Sequence, residues 1–277
     1  MPFSKDLLIG SSGNQGGAFP FDFQIEQSAR FTRSENSYLT GYANNFGTGN
    51  RNTWSMSFWI KLTGVAGVTD SQYYILTADT NSQGSYDTII MHVENGKPYL
   101  QFMGGEVTFD AVMTDTSAWY HMLIVADSTN ATATLRKRLY VNGTQISPKS
   151  ASYPSQNADS QINWGTKTHR IGRRQDNNSS YHGDYYLAEM HFVDGQAYGP
   201  EYFGESKDAP GGGSIWVPID YKTNTGTYGT TGYYLTFSNA SSLGADTSGN
   251  SNDWTVSNMG TDNQMADSPT FDDAGSG

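Results

Sequence analysis

The sequence predicts an all-β fold, with two antiparallel sheets packed as a sandwich, and three observations carry that prediction. Gly, Ser, Thr, Asn and Tyr dominate the 277 residues, with 31 Gly and 18 Tyr, while Leu, Ala, Glu and Lys are sparse. Helix formers are therefore missing and strand and turn formers abound. Stretches whose apolar residues alternate with period two recur along the chain, each closed by Gly, Asn, Asp or Pro. Apolar content is only 36%, yet aromatic content is 13%, which a disordered chain would lack, so aromatic rings build much of the core.

Taken in order, strands are expected at about 28–40, 53–63, 72–79, 86–94, 98–103, 119–127, 134–142, 168–173, 185–194 and 232–238. The second shows the pattern best. Trp54, Met56, Phe58 and Ile60 fall on one face and Ser55, Ser57, Trp59 and Lys61 on the other. The first set is core, which leaves Trp59 as an aromatic ring on the opposite face. Asn95-Gly96 lies between two apolar stretches, where a type I′ hairpin turn needs positive φ. Residues 1–27 read as an extended arm, with Gly and polar residues at 10–17 and then Phe19, Phe21 and Phe23. Residues 28–205 read as the sandwich and 206–277 as a C-terminal extension. That extension opens on a flexible Lys207–Gly213 connector, holds a strand near 232–238, and ends in an irregular tail after Trp254.

The absence of cysteine excludes disulfides, thiolate metal sites and a thiol nucleophile. A formal net charge of −11 without a Lys/Arg block disfavours nucleic-acid binding, which requires the opposite sign. No apolar run approaches the ~18 residues of a spanning helix. The first ten residues carry only three consecutive apolar ones, Leu7-Leu8-Ile9, against the roughly 7–15 of a secretory signal. The chain reads as soluble, made without Sec export and not inserted in a membrane.

Several motifs then occur in a telling order: Ser57-Phe-Trp-Ile-Lys61, Trp119-Tyr-His121, Tyr140-Val-Asn-Gly143, Ile171-Gly172, and Gly183 through Leu187-Ala-Glu189. Together they resemble the laminin-G/concanavalin A-like jelly-roll family over roughly residues 28–205, which implies a jelly-roll sandwich. The chain ends add a narrower likeness. Ser4–Gly10, Gly13–Gly16, Ala188–Gln196, Phe203–Glu205 and Asp246–Trp254 are similar to laminin-G-like proteins of marine bacteriophages. In those proteins the module is carried on the virion, as a tail fibre or other surface component. Tyr233–Trp254 also looks like the opening of a second such module. The resemblance implies a noncatalytic virion-surface protein, of tail-fibre or adhesin type, that aids attachment to a host-surface glycan. Its implied partners are other virion proteins; copies of the chain itself are expected because the arm cannot bury Phe19, Phe21 and Phe23 alone, with a trimer expected for a fibre. The alternatives are a capsid-decorating or fibre-building subunit that binds no sugar, and a polysaccharide-degrading hydrolase.

The site chemistry is weighed on the same residues. A retaining glycosidase holds two carboxylates ~5–5.5 Å apart, whereas Glu189 and Asp194 on one strand face opposite ways, roughly 16 Å apart. No nucleophile elbow or phosphate loop occurs. His92, His121, His169, His182 and His191 are scattered; Glu189 and His191 share a strand face and could hydrogen-bond or hold a metal, or Glu189 could cap backbone near a sheet edge. Glycan recognition needs an aromatic platform flanked by Asx side chains, for which Asn163, Trp164, Tyr181 and Tyr185 are candidates. The competing reading places these rings under loops or at a subunit interface. The family likeness implies calcium at the sandwich rim, with Asp176, Asn177, Asn178 and Asp184 as candidate ligands; the same residues also serve turns for conformational reasons alone. The Asx-rich stretch Asp79–Asp87 offers similar chemistry.

Overall fold

The structure, a computed structural model, describes residues 21–42, 46–63, 72–79, 86–92, 96–174, 182–209 and 212–270. The strands begin with β1 (Ser28–Phe31), β2 (Tyr38–Tyr42), β3 (Thr53–Leu62), β4 (Gln72–Asp79), β5 (Tyr86–His92) and β6 (Lys97–Phe102). Next come β7 (Gly105–Thr108), β8 (Tyr120–Asp127), β9 (Lys137–Val141), β10 (Thr144–Gln145), β11 (Ser150–Ser152) and β12 (Thr168–Ile171). The last are β13 (Tyr185–Asp194), β14 (Gly204–Asp208), β15 (Ser214–Pro218), β16 (Tyr233–Leu235), β17 (Thr255–Ser257) and β18 (Gln264–Met265). Among the described residues, helix is confined to short turns such as Tyr221–Asn224.

Two antiparallel sheets form the jelly-roll sandwich. One runs β10-β9-β8-β3-β13-β1-β18, with β16 also on β13; the other runs β11-β7-β6-β5-β4-β12-β2-β17. The expected alternation in β3 holds: Trp54, Met56, Phe58 and Ile60 are all fully buried between the sheets. Trp54 meets Phe102 from the opposite sheet at 5.0 Å between ring centroids and Phe192 at 5.6 Å. At 28–40 the one expected strand is two. A turn closed by Ser37 N–H to Thr32 O (3.2 Å), with Asn36 at φ +55°, sends β1 to one sheet and β2 to the other.

The outer face of the β3 sheet is buried as well, which explains Trp59. Ser55, Ser57, Trp59, His121, Ala188, His191 and Val193 are each at most 5% exposed. Phe23, Ile25 and Trp216 cover the Trp59 end. Phe203, Tyr221, Tyr228 and Tyr234 cover Leu123, Val125 and Val193. This cover comes from the chain ends, where the sequence suggested an arm and an irregular extension. Lys207–Gly213 is no free connector: β14 and β15 pair as a hairpin, closed by Ala209 N–H to Gly213 O (3.0 Å).

The C-terminal stretch is likewise built in. Trp254 is 3% exposed and packs against Tyr233 and Phe46. β17 pairs with β2 and β18 with β1. Thr270 Oγ1 accepts from Ile25 N–H at 2.7 Å. Tyr233–Trp254 thus completes this sandwich rather than opening another. Phe23 and Ile25 pack on their own chain, which removes Phe23 from the aromatic argument for oligomerisation; Phe19 lies outside the described residues. β5 and β6 do pair as a hairpin, with Gly96 at φ +57°, but His92 lies opposite Lys97. That leaves four residues between the paired positions, where the expected type I′ turn at Asn95-Gly96 would leave two. Asn95 lies outside the described residues.

Candidate functional site

The outer layer gathers the side chains a hydrolase would use, and their geometry assigns them other work. His121 Nε2 lies 2.8 Å from Ser57 Oγ, a nucleophile–base distance. Yet the indole Nε1–H of Trp216 donates to His121 Nδ1 at 3.1 Å. An indole nitrogen can only donate, so Nδ1 is the acceptor and the ring proton sits on Nε2. Nε2–H therefore donates to Ser57, the reverse of what activating a serine requires. Burial, with a smaller contribution from His191, pushes the His121 pKa down to about 3, so the ring is neutral near pH 7.

Glu189 stands at a β-bulge between Ala188 and His191, with φ +49°, uncommon for a residue with a Cβ. The bulge turns its carboxylate to the outer layer, where Tyr234 Oη donates to it at 2.5 Å and His191 Nε2 lies 3.5 Å away. His191 stacks on Tyr234 with 4.2 Å between centroids, and its Nδ1 bonds the Tyr228 hydroxyl at 3.0 Å. Desolvation above all, then the Glu189 charge, raises the Tyr234 pKa far above its ordinary value. Glu189 and His191 are 6% and 5% exposed. The pair the sequence placed on one face is real, and it fastens the outer layer to the sheet rather than capping a sheet edge.

Asp194 points elsewhere, as its strand parity requires. One carboxylate oxygen accepts from Asn50 N–H (2.6 Å) and Asn163 Nδ2 (2.7 Å). The other accepts from Thr230 N–H (3.2 Å). Asn163, at φ +68° and 7% exposed, also gives Nδ2 to Asn50 O (3.0 Å) and accepts from the Thr231 hydroxyl. Its amide is thus occupied in tying three rim segments together, and it is corrected from a sugar ligand to a pillar of the rim. His169, its pKa pushed down to about 4 by burial, accepts from Asn163 N–H at 3.0 Å. Asn163, His169 and Thr231 border a cavity of about 20 Å³ beside Phe46, Phe192, Tyr233 and Trp254, room for a water and not for a sugar ring.

Of the other candidates, Tyr185 is a core residue. It has no exposed surface, lies 5.3 Å from Phe31 and donates its hydroxyl to Tyr74 O at 2.8 Å, so it is no sugar platform. Asp184 faces Arg33: Oδ1 accepts from the backbone N–H at 2.8 Å and Oδ2 lies 3.7 Å from Nε. A calcium ion taking Asp184 would have to share its carboxylate with Arg33. Tyr181, Asp176, Asn177 and Asn178 lie outside the described residues. Of the glycan candidates among the described residues, Trp164 alone stands partly exposed, and it has company the sequence did not reveal. The Arg51 guanidinium carbon lies 4.0 Å from its ring centroid and Lys167 Nζ 4.5 Å. Lys167 was within reach of sequence reasoning, three residues on in a Gly-containing turn closed by Lys167 N–H to Trp164 O (2.9 Å). Arg51 was not, because only the fold brings it there.

The two-sheet jelly-roll sandwich defines the structural class of the protein. The sequence profile of the Concanavalin A-like lectin/glucanases superfamily, Laminin_G_3, matches residues 33–197, and the chain belongs to that family. Among solved structures, the heptameric SAP-like pentraxin from Limulus polyphemus is similar at 16% identity and TM-score 0.43, over 63% of this chain and 78% of that one. Domains LG4-5 of the mouse laminin alpha1 chain are similar at 13% identity and TM-score 0.42, over 68% and 46%. The botulinum neurotoxin type G receptor binding domain follows at 13% and 0.40, over 63% and 40%. The chain thus spans less than half the length of the latter two. No curated protein matches the sequence.

Proposed function

We propose that this chain is a noncatalytic glycan-binding protein of a bacteriophage virion surface, a tail-fibre or adhesin-type component that helps the particle attach to host-surface glycan. The observation that carries the glycan reading is the rim, where a partly exposed indole lies under two cations in a member of a lectin and glucanase superfamily. The noncatalytic reading is supported by the His121 tautomer, which points its proton at Ser57, and by the burial of Glu189 beneath tyrosines. The virion reading rests on the likeness of the chain ends to marine phage proteins. Association with other virion proteins and with further copies of this chain belongs to the same reading.

The test is a glycan array probed with the purified chain, with reducing ends assayed after incubation with each retained glycan. Retention of a defined glycan set without new reducing ends is the expected result. An array that retains nothing overturns the reading in favour of a purely structural subunit, and release of reducing ends overturns the noncatalytic part. Sedimentation at micromolar concentration decides self-association.

A further inference from the structure

We propose that Lys167, Arg51 and Trp164 form an anion subsite that takes the carboxylate or sulfate of an acidic saccharide. This deepens the glycan-binding reading and rests on it. The chain carries 27 acidic and 16 basic side chains, so a cation here should find a carboxylate easily. Most described lysines have an oxygen partner: Lys61 has Asp267, Lys137 has Gly105 O, Lys149 has Asp110, Lys207 has Asp22 and Lys222 has Thr247 O. Lys97 is half-buried, in reach of water.

Lys167 is different. It is only 7% exposed, and among the described residues no carbonyl or carboxylate accepts from its Nζ; its one partner is the Trp164 ring. Its stem is buried but Nζ is not sealed from solvent, so the head group reaches the rim with the indole as its one protein contact among the described residues. Arg51 lies over the same ring. It gives Nε to Ser160 O (2.7 Å) and Nη1 to Asp159 Oδ2 (2.9 Å), while Nη2 has no acceptor among the described residues. These bonds fix the guanidinium plane and leave one donor edge unused. The site thus offers an ammonium with three unused protons and a held guanidinium edge over one indole, a donor set suited to a planar or tetrahedral oxyanion. The Trp164 edge and the exposed Thr48 beside it, whose Oγ1 accepts from Gly165 N–H at 2.8 Å, add the apolar and hydroxyl contacts that a sugar ring carrying the anion would use.

The experiment is calorimetric titration of the full chain with three tetrasaccharides: a galacturonate tetramer, a sulfated galactan tetramer and a neutral galactan tetramer. At least one acidic tetramer should bind about tenfold or more tightly than the neutral one, and Lys167→Met should weaken acidic binding until that advantage is gone. Lys167→Arg should retain it. Preference between the two acidic tetramers identifies carboxylate or sulfate as the ligand group. Should Lys167→Met fail to fold, wild-type binding at about 50 and about 300 mM salt decides, since an ionic contact weakens and a neutral one does not. Neutral and acidic tetramers bound alike, acidic binding unmoved by Lys167→Met, or acidic binding blind to salt each overturns the subsite and leaves the glycan reading standing. Binding of none of the three, together with an empty array, overturns both.

Discussion

At the scale of single residues, the outer layer makes His121 a thermodynamic reporter. Burial lowers its pKa from 6.5 to about 3, so between those values the unfolded chain binds the extra proton. Stability contributed by the neutral ring is therefore complete above about pH 6.5 and is lost as pH falls towards 3. His169, lowered to about 4, acts in the same direction. Asp87 opposes them, because burial raises its pKa, against hydrogen bonds from Ser160, Gln161 and Met103, and its protonated form favours the folded state. Comparing wild type with His121→Gln isolates the one ring: the melting temperature of the variant should fall less steeply between pH 6.5 and pH 4. Equal slopes would mean that His121 reaches water and titrates normally. None of this was legible beyond the residue's place on a strand face, because the tautomer is set by Trp216, 95 residues away.

At the scale of elements, β13 shows why a strand can be read in sequence while its job cannot. One edge of β13 pairs with β3 along its length; the other is shared by β1 at Tyr185–Leu187 and β16 at Met190–Phe192. The bulge at Glu189 falls where one partner gives way to the other, and bulges re-aim side chains at such breaks in pairing. Glu189→Ala should cost about 1–3 kcal/mol in chemical denaturation by leaving the buried Tyr234 hydroxyl without an acceptor. Adding Tyr234→Phe should then cost less than it does alone, a coupling of roughly 0.5–3 kcal/mol in a double-mutant cycle. Additive losses would show that the two groups do not interact. The long strands were legible because large apolar residues alternate along them, as Trp54, Met56, Phe58 and Ile60 do in β3. β11 is Ser-Ala-Ser and β18 is Gln-Met; segments so short and so polar carry no periodicity, and only their sheet partners define them. Asn142-Gly143 stood in the sequence as the end of a family motif. What it touches was not legible there: a Cβ on Gly143 would lie 2.4 Å from the Trp216 ring.

At the scale of the whole molecule, the sequence suggested a sandwich complete by residue 205, and the structure builds side chains from beyond that residue into its buried layers. Trp59, His121, Ala188, His191 and Val193 line the outer face of one sheet and are buried under Trp216, Tyr221, Tyr228 and Tyr234, all beyond that boundary. Two further segments, β17 and β18, close one edge of each sheet, and Ser268 and Thr270 bond the Ile25 backbone. A chain ending at 205 would expose a contiguous aromatic patch of the kind that drives association, and would leave Glu189 without its tyrosine donor. Residues 21–205 should therefore bind the hydrophobic dye ANS, lose near-ultraviolet circular dichroism and melt without a cooperative transition, as loosely packed states do. Residues 21–270 should melt cooperatively. If the shorter chain instead melts sharply, within a few degrees of the longer one and without binding dye, the C-terminal layer is an accessory docked on a self-sufficient sandwich, and the boundary at 205 read from the sequence is the physical one.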